Sequence, residues 1–130
     1  MPVVAAVDLG ASGGRVMAGV VEGDGVRLEA VYRFPNGVVE ADGHLRWDVA
    51  RLFDEVEAGL AQLPEAESIG IDTWGVDYGL LDEDGRLLAP PVAYRDDRTA
   101  AAVDRVHALA APDELFAVNG LQHLPFTTVY

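Results

Sequence analysis

Apolar residues occur first in short runs and later at helical spacing. Residues 3–7, 15–21 and 26–34 form mainly apolar or alternating segments of strand length. Asp24-Gly25 lies between the second and third segments and is a strong signal for a tight hairpin turn. The small-residue turn at residues 10–14 can join the first two segments in the same way. The pattern therefore predicts a three-stranded antiparallel meander at the start of the chain.

The spacing of apolar residues changes to a helical period after Trp47. Asp48 is a suitable N-cap, and Pro64 predicts the end of the helix. Six apolar residues share one stripe and are expected to face the core: Val49, Leu52, Phe53, Val56, Leu60 and Leu63. The apolar run at residues 68–72 is predicted to be a short buried strand. Because a helix precedes this strand, we expect it to be parallel to its neighbour in the sheet.

The remaining segments contain turn signals and further helical patterns. Turns are predicted at residues 34–37 and 42–43, a hairpin at 78–88, helices at 99–110 and 112–118, and the start of another helix at 124–130. Residues 94–98 are expected to form a structural cluster of ion pairs and caps, with Asp97 or Thr99 as the N-cap of the following helix. The chain ends at Tyr130 in an apolar pattern. A natural terminus is usually more polar, so we expect a truncated chain.

Composition limits the classes of function. The 130 residues correspond to one domain or part of one, and the net charge is −13. Every basic residue is an arginine and these are scattered, so the clustered positive charge needed for nucleic-acid binding is missing. The sequence has no cysteine, no signal-peptide pattern and no apolar run of membrane-spanning length. We therefore expect a cytoplasmic protein that binds neither nucleic acid nor membranes. His44, His107 and His123 lack ligand spacing, so a zinc site is not expected.

The turn after the first strand is the strongest candidate for chemistry. It contains Gly10, Ala11, Ser12, Gly13 and Gly14, and the first large side chain after it is that of Arg15. Small residues let a ligand approach the backbone, and consecutive N–H groups can bind an anion such as phosphate. Asp8 at the end of the strand could hold a hydrated metal ion beside it. By itself such a turn is most often an ordinary hairpin, and this one matches neither GxGxxG nor a Walker sequence.

Several motifs together resemble the FGGY carbohydrate kinases, and within that family the rhamnulokinases. They are Asp-Leu-Gly-Ala-Ser-Gly-Gly-Arg at 8–15, Phe-Pro-Asn-Gly at 34–37, Trp-Asp-Val at 47–49, Ile-Gly-Ile-Asp-Thr-Trp-Gly-Val-Asp at 69–77, Pro-Val-Ala-Tyr-Arg-Asp-Asp-Arg-Thr at 91–99 and Leu-Gln-His-Leu-Pro-Phe at 121–126. The stretch at 69–77 is far more selective than the turn. The resemblance implies an α/β protein with the actin-like ATPase (ribonuclease-H-like) fold. Residues 1–130 would be the first part of its N-terminal domain, with the second domain absent.

The resemblance also implies an activity and its ligands. An ATP-dependent kinase of this family would use Mg²⁺ to phosphorylate L-rhamnulose to L-rhamnulose 1-phosphate. Asp8 would hold Mg²⁺ through water, and residues 10–15 would bind the phosphates of ATP. Trp74, Gly75 and Asp77 would contact the sugar, although Trp74 could instead be a core residue. The catalytic base would lie downstream, so no catalytic residue is assigned within this chain and the chain alone should be inactive and prone to self-association.

Two alternatives stay open. Another FGGY kinase, acting on xylulose or fuculose, would share most of these motifs. A non-catalytic actin-like nucleotide-binding module is compatible with Gly13, which stands where the family usually has a hydroxyl residue. Asp72 and Asp77 could suggest an acid–base pair, but the resemblance implies that they organise the sugar pocket or its loop.

Overall fold

The computed structural model describes residues 1–130, which divide into two compact units. The first unit comprises residues 1–38 and 48–75, and the second comprises residues 39–47 and 76–130. The two units are not consecutive in sequence, because residues 39–47 belong to the second unit but lie between the two segments of the first. None of the helices is long and apolar enough to cross a membrane.

The first unit is built on a four-stranded sheet with the order β3-β2-β1-β6. The strands of this sheet are β1 (Val3–Gly10), β2 (Gly13–Glu22), β3 (Gly25–Pro35) and β6 (Ser68–Thr73). β1, β2 and β3 pair antiparallel through tight turns, which confirms the predicted meander. β6 pairs parallel with β1, as the preceding helix required. The fold class is therefore α/β, as the sequence predicted.

The helix of the first unit, α1 (Val49–Leu60), packs on β2 and β3. The predicted N-cap is confirmed, because the Asp48 carboxylate accepts a hydrogen bond from the Arg51 N–H at 3.1 Å. Leu52 and Val56 are buried in the core beside strand residues such as Val16. A Cβ added at Gly59 would lie 2.4 Å from Val16 Cγ2, so the absence of a side chain allows the helix to approach the sheet closely.

Two apolar residues of the predicted helical stripe do not reach the core. Val49 is 40% exposed and Phe53 is 62% exposed, whereas Leu63, three residues beyond the helix, is buried. The stripe is narrower than predicted because α1 contacts only part of the sheet. The prediction that β6 is buried is also wrong, since Ile69 and Ile71 are 57% and 63% exposed. β6 is an edge strand and pairs only with β1.

The second unit contains a short hairpin and two helices. β4 (Val38–Ala41), whose first residue belongs to the first unit, pairs with β5 (His44–Trp47), and α2 (Ala100–Leu109) and α3 (Pro112–Asn119) follow later in the chain. The turn at 42–43 was predicted, but its strands were not. They are only four residues long, and the turn uses left-handed backbone at Asp42 (φ 53°) and Gly43 (φ 74°). α3 ends as predicted, with left-handed Gly120 as its C-cap.

Three further predictions for the second unit are only partly met. The hairpin at 78–88 is reduced to one bridge between Leu81 and Leu87, closed by a turn in which Asp82 accepts two backbone N–H bonds. Thr99 occupies the N-cap position of α2 without a side-chain capping bond. Residues 124–130 form turns in place of the predicted start of a helix. Local backbone bonds such as Thr127 N–H to Leu124 C=O satisfy this segment.

Candidate functional site

Four charged residues form a row across the sheet of the first unit. The register pairs Asp72 with Asp8, Asp8 with Arg15, and Arg15 with Arg33, so one residue comes from each strand. Paired residues on neighbouring strands point to the same face of a sheet. The row therefore carries two negative charges on β6 and β1 followed by two positive charges on β2 and β3.

The two central residues of the row form an ion pair. Arg15 Nε and Nη2 lie 2.7 and 2.5 Å from Asp8 Oδ2, with both side chains somewhat less than half exposed. The side chain of Arg33, which is exposed, makes no hydrogen bond or ion pair within the protein. A guanidinium has five N–H donors, so Arg15 retains donors after pairing with Asp8. The row thus offers one shared and one unshared guanidinium to an anion.

The glycine-rich turn lies beside this row and lines an open cavity of about 750 Å³. All of the predicted nucleotide-binding residues, Asp8, Gly10, Ala11, Ser12, Gly13, Gly14 and Arg15, line this cavity together with Arg33, Phe34 and Pro35. A Cβ at Gly10 would lie 3.1 Å from Gly13 O, and one at Gly13 would lie 3.2 Å from Phe34 O. The backbone is therefore tightly folded at the turn, and its small residues leave the cavity open to a ligand.

Asn36 contacts the glycine-rich turn directly, and the sequence did not single it out as a site residue. Its Nδ2 donates to the Gly10 carbonyl at 2.9 Å, and its backbone N–H donates to the Ser12 carbonyl at 3.3 Å. Arg51 supports the same region by donating to the Pro35 carbonyl at 3.1 Å. The signal available in the sequence was the Phe-Pro-Asn-Gly segment at the end of β3, where the register pairs Pro35 with Gly13.

The second unit contains a smaller cavity of about 280 Å³. Its polar lining includes Asp77, Tyr94, Asp96, Arg98, Arg105, Thr127, Thr128 and Tyr130. Asp77 accepts a hydrogen bond from Trp47 Nε1 at 2.5 Å, and Trp47 is only 1% exposed. The buried indole therefore fixes one orientation of the Asp77 carboxylate at the cavity wall.

Asp96 connects this cavity to β5. Its side chain is 4% exposed and accepts hydrogen bonds from the Leu45 and Arg98 N–H groups, and His44 Nδ1 lies 3.2 Å from Oδ1. Burial raises the pKa of this carboxyl, but the backbone hydrogen bonds and His44 outweigh it and hold the pKa below its ordinary value of 3.8. The predicted structural role of the 94–98 cluster is confirmed for Asp96, although its side-chain partner is a histidine and not an arginine.

The three predicted sugar-site residues lie in different units. Trp74 is half-buried and packs against the core of the first unit, which agrees with the alternative that it is a core residue. Its contact with a sugar stays a prediction. Gly75 belongs to the same unit, and a Cβ added there would meet no atom within 4 Å. Asp77 belongs to the second unit.

His107 and His123, distant in sequence, stack edge to face with ring centroids 5.9 Å apart.

Comparison with known proteins gives consistent matches along the whole chain. No family model matches it. A rhamnulokinase of Mannheimia succiniciproducens is 44% identical over 98% of this chain, one of Enterococcus faecalis is 44% identical over 96%, and one of Bacillus subtilis is 37% identical over 96%. The chain spans only 26–28% of the length of these relatives.

Solved structures with a similar fold are larger sugar kinases. A xylulose kinase from Brucella ovis matches 97% of this chain with a TM-score of 0.74 and 21% identity, and the match covers 27% of that structure. A gluconate kinase from Lactobacillus acidophilus matches 96% with a TM-score of 0.74 and 16% identity, covering 26% of that structure. These structural matches show that the chain has the actin-like fold of these carbohydrate kinases. The sequence relatives named above are all rhamnulokinases, at 37–44% identity.

Proposed function

We propose that this chain is the N-terminal part of an ATP-dependent rhamnulokinase. The reaction would transfer the γ-phosphate of ATP to the primary hydroxyl of L-rhamnulose, giving L-rhamnulose 1-phosphate. The observation that carries this proposal is the 37–44% identity to rhamnulokinases along nearly the entire chain. The matched region spans both the glycine-rich turn and the selective stretch at 69–77.

The cavity beside the glycine-rich turn fits the phosphates of a nucleotide. Small residues expose the backbone, while Arg15 and Arg33 supply positive charge in a chain of net charge −13. Asp8 and its register partner Asp72 offer carboxylate oxygens, which suit a Mg²⁺ ion that keeps several of its waters. When bound, Mg²⁺ would neutralise charge that develops on the transferring phosphoryl group.

The residues of this chain have positioning roles in the proposal. Asp8 orients Arg15 through the ion pair, and the remaining Arg15 donors are available to phosphate oxygens. For the sugar we propose contacts from Trp74, Gly75 and Asp77. We assign the catalytic base to a part of the protein outside these residues, so the isolated chain should not catalyse phosphoryl transfer.

A coupled assay of the complete gene product with ATP, Mg²⁺ and a panel of ketoses tests the proposal. L-Rhamnulose should give the highest kcat/KM, and Asp8→Ala should lower it by at least about tenfold, because a charged-group contact is worth about 1.5–3 kcal/mol. Asp113→Ala, at the exposed N-terminus of α3, is the matched control. A preference for xylulose or fuculose would instead support another FGGY kinase. Nucleotide binding without transfer to any sugar would support a non-catalytic module.

A further inference from the structure

We infer that Asn36 is a positioning residue for nucleotide binding, which acts by holding the glycine-rich turn in its binding conformation. Asn36 donates hydrogen bonds to two carbonyl groups of that turn, those of Gly10 and Ser12, and has no hydrogen bond to the charged row. The inference rests on the proposed function, because it assumes that the turn binds the phosphates of ATP.

The hydrogen-bond partners of Asn36 fix the orientation of its side chain. The Gly10 carbonyl can only accept a hydrogen bond, so the atom 2.9 Å from it must be the amide nitrogen Nδ2. On the other side of the amide, the Gly37 N–H at 2.8 Å and Arg51 Nη2 at 3.5 Å can act only as donors, and both point at Oδ1. If the amide were rotated by 180°, Oδ1 would face the Gly10 carbonyl oxygen and Nδ2 would face these two donors, so all three hydrogen bonds would be lost.

This orientation determines where the amide of the turn points. In a trans peptide the carbonyl of one residue and the N–H of the next point in opposite directions, and the chain contains no cis peptide. Because the Gly10 carbonyl points to Asn36, the Ala11 N–H points away from it. Asn36 thus engages the acceptor side of this peptide group and leaves its donor side for an anion.

Asn36 is itself held by the first unit. Pro35 restricts the backbone before it, Arg51 of α1 donates to the Pro35 carbonyl at 3.1 Å, and Gly37 closes the local turn on Oδ1. The turn at 10–13 contains only glycine and small residues, which have little side-chain packing to fix their backbone. Hydrogen bonds from Asn36, outside the turn, can therefore keep the turn in one conformation before the ligand binds.

Two substitutions separate this role from general support of the fold. Asn36→Ala removes all side-chain bonds. Asn36→Asp retains the acceptor for Gly37 and Arg51 but places an oxygen against the Gly10 carbonyl. Asn119→Ala is the matched control, because Asn119 also accepts a local backbone bond, from the Leu121 N–H at 2.8 Å, and lies at the end of α3.

The complete protein is assayed with ATP and L-rhamnulose, and hydrogen exchange at residues 10–14 is measured without nucleotide. In both Asn36 variants we expect KM for ATP to rise about three- to tenfold, KM for the sugar to stay within twofold, and exchange at the turn to accelerate. For Asn36→Asp the rise should persist at raised salt, which screens an effect of charge alone. The Asn119 variant should match the wild type.

The outcomes distinguish the inference from the function on which it rests. Unchanged exchange at the turn in both Asn36 variants overturns the positioning role, whatever the activity of the wild type. If the Asn36 variants exchange faster at the turn but the wild-type protein transfers no phosphate, the positioning role stands and the proposed function is refuted. An equal rise in both KM values, or a rise only in Asn36→Ala, would show that Asn36 supports its own turn and not the nucleotide site.

Discussion

The contact between Gly14 and Phe34 gives a direct test of the geometry beside the glycine-rich turn. The two residues are cross-strand partners on β2 and β3, and the buried Phe34 ring covers the glycine. A Cβ at position 14 would lie 2.2 and 2.3 Å from two ring carbons. Because the ring is packed in the core, Gly14→Ala must displace it or bend the strands.

The expected loss follows from two opposing effects. Overpacking a core costs about 1–3 kcal/mol, while replacing glycine by alanine within a strand gains about 0.5–1 kcal/mol. The difference is about 0–2.5 kcal/mol, and we therefore expect Gly14→Ala to lower the free energy of unfolding by about 1 kcal/mol, the middle of that range, and to lower the apparent Tm by a few degrees. Thermal unfolding of the complete protein, followed by tryptophan fluorescence, measures the shift.

A control and a double substitution make this prediction refutable. Gly70 also lies within a strand, but a Cβ there would meet no atom within 4 Å, so Gly70→Ala should be neutral or slightly stabilising. Phe34→Leu removes the ring, so alanine at position 14 should cost less by about 1 kcal/mol in that background. Equal effects of Gly14→Ala and Gly70→Ala, or strict additivity with Phe34→Leu, would contradict the argument.

Three further substitutions test contacts outside the turn. The folded protein holds the pKa of Asp96 below its ordinary value of 3.8, so the ionised carboxylate stabilises the fold fully above pH 3.8 and this stabilisation is lost as pH falls through the lowered pKa. Asp96→Asn should remove it, so the urea midpoints of the variant and the wild type should differ near neutral pH and converge in acid. The Tyr32 hydroxyl donates to Glu55, which raises the pKa of the phenol above 10.0; Tyr32→Phe should therefore be less stable below pH 10, with the difference disappearing as pH rises through the raised value. Trp47→Phe retains an aromatic ring but loses the hydrogen bond to a carboxylate, so it should lower stability by about 1–3 kcal/mol in thermal unfolding.

The sequence predicted those elements whose signals are local and redundant. The meander was predictable because tight-turn residues separate three segments of strand length, and α1 because Asp48 and helical spacing agree. The exposure of Phe53 and Ile71 was not predictable from apolar pattern alone. Whether an apolar face is covered depends on which elements contact it. The spacing of apolar residues, with a period of 2 in a strand or 3.6 in a helix, does not contain that information.

The candidate site could be predicted only in part for the same reason. Residues 8–15 are contiguous, so their place around one turn follows from the sequence. Arg33 lines the same cavity, and Asn36 hydrogen-bonds to the turn. Both are placed there by the register between β2 and β3, which includes a shift between Val16 and Met17. A displacement of one residue would move Arg33 to the other face of the sheet. No local pattern specifies that register, so these two residues became evident only in the folded protein.

The charge row would allow so acidic a chain to bind the polyanion that the proposed function requires. The net charge of −13 would repel ATP if all charges acted over long distances, but at physiological ionic strength exposed charges are screened beyond about 8 Å. The charges next to the turn therefore matter most, and here the register places Arg15 and Arg33 together. Asp8 lowers the net positive charge of this pair while holding Arg15 in place, and a divalent cation beside Asp8 and Asp72 would offset the negative half of the row. Under the proposed function, this arrangement would favour a ligand that brings both phosphate and a divalent cation over a free anion.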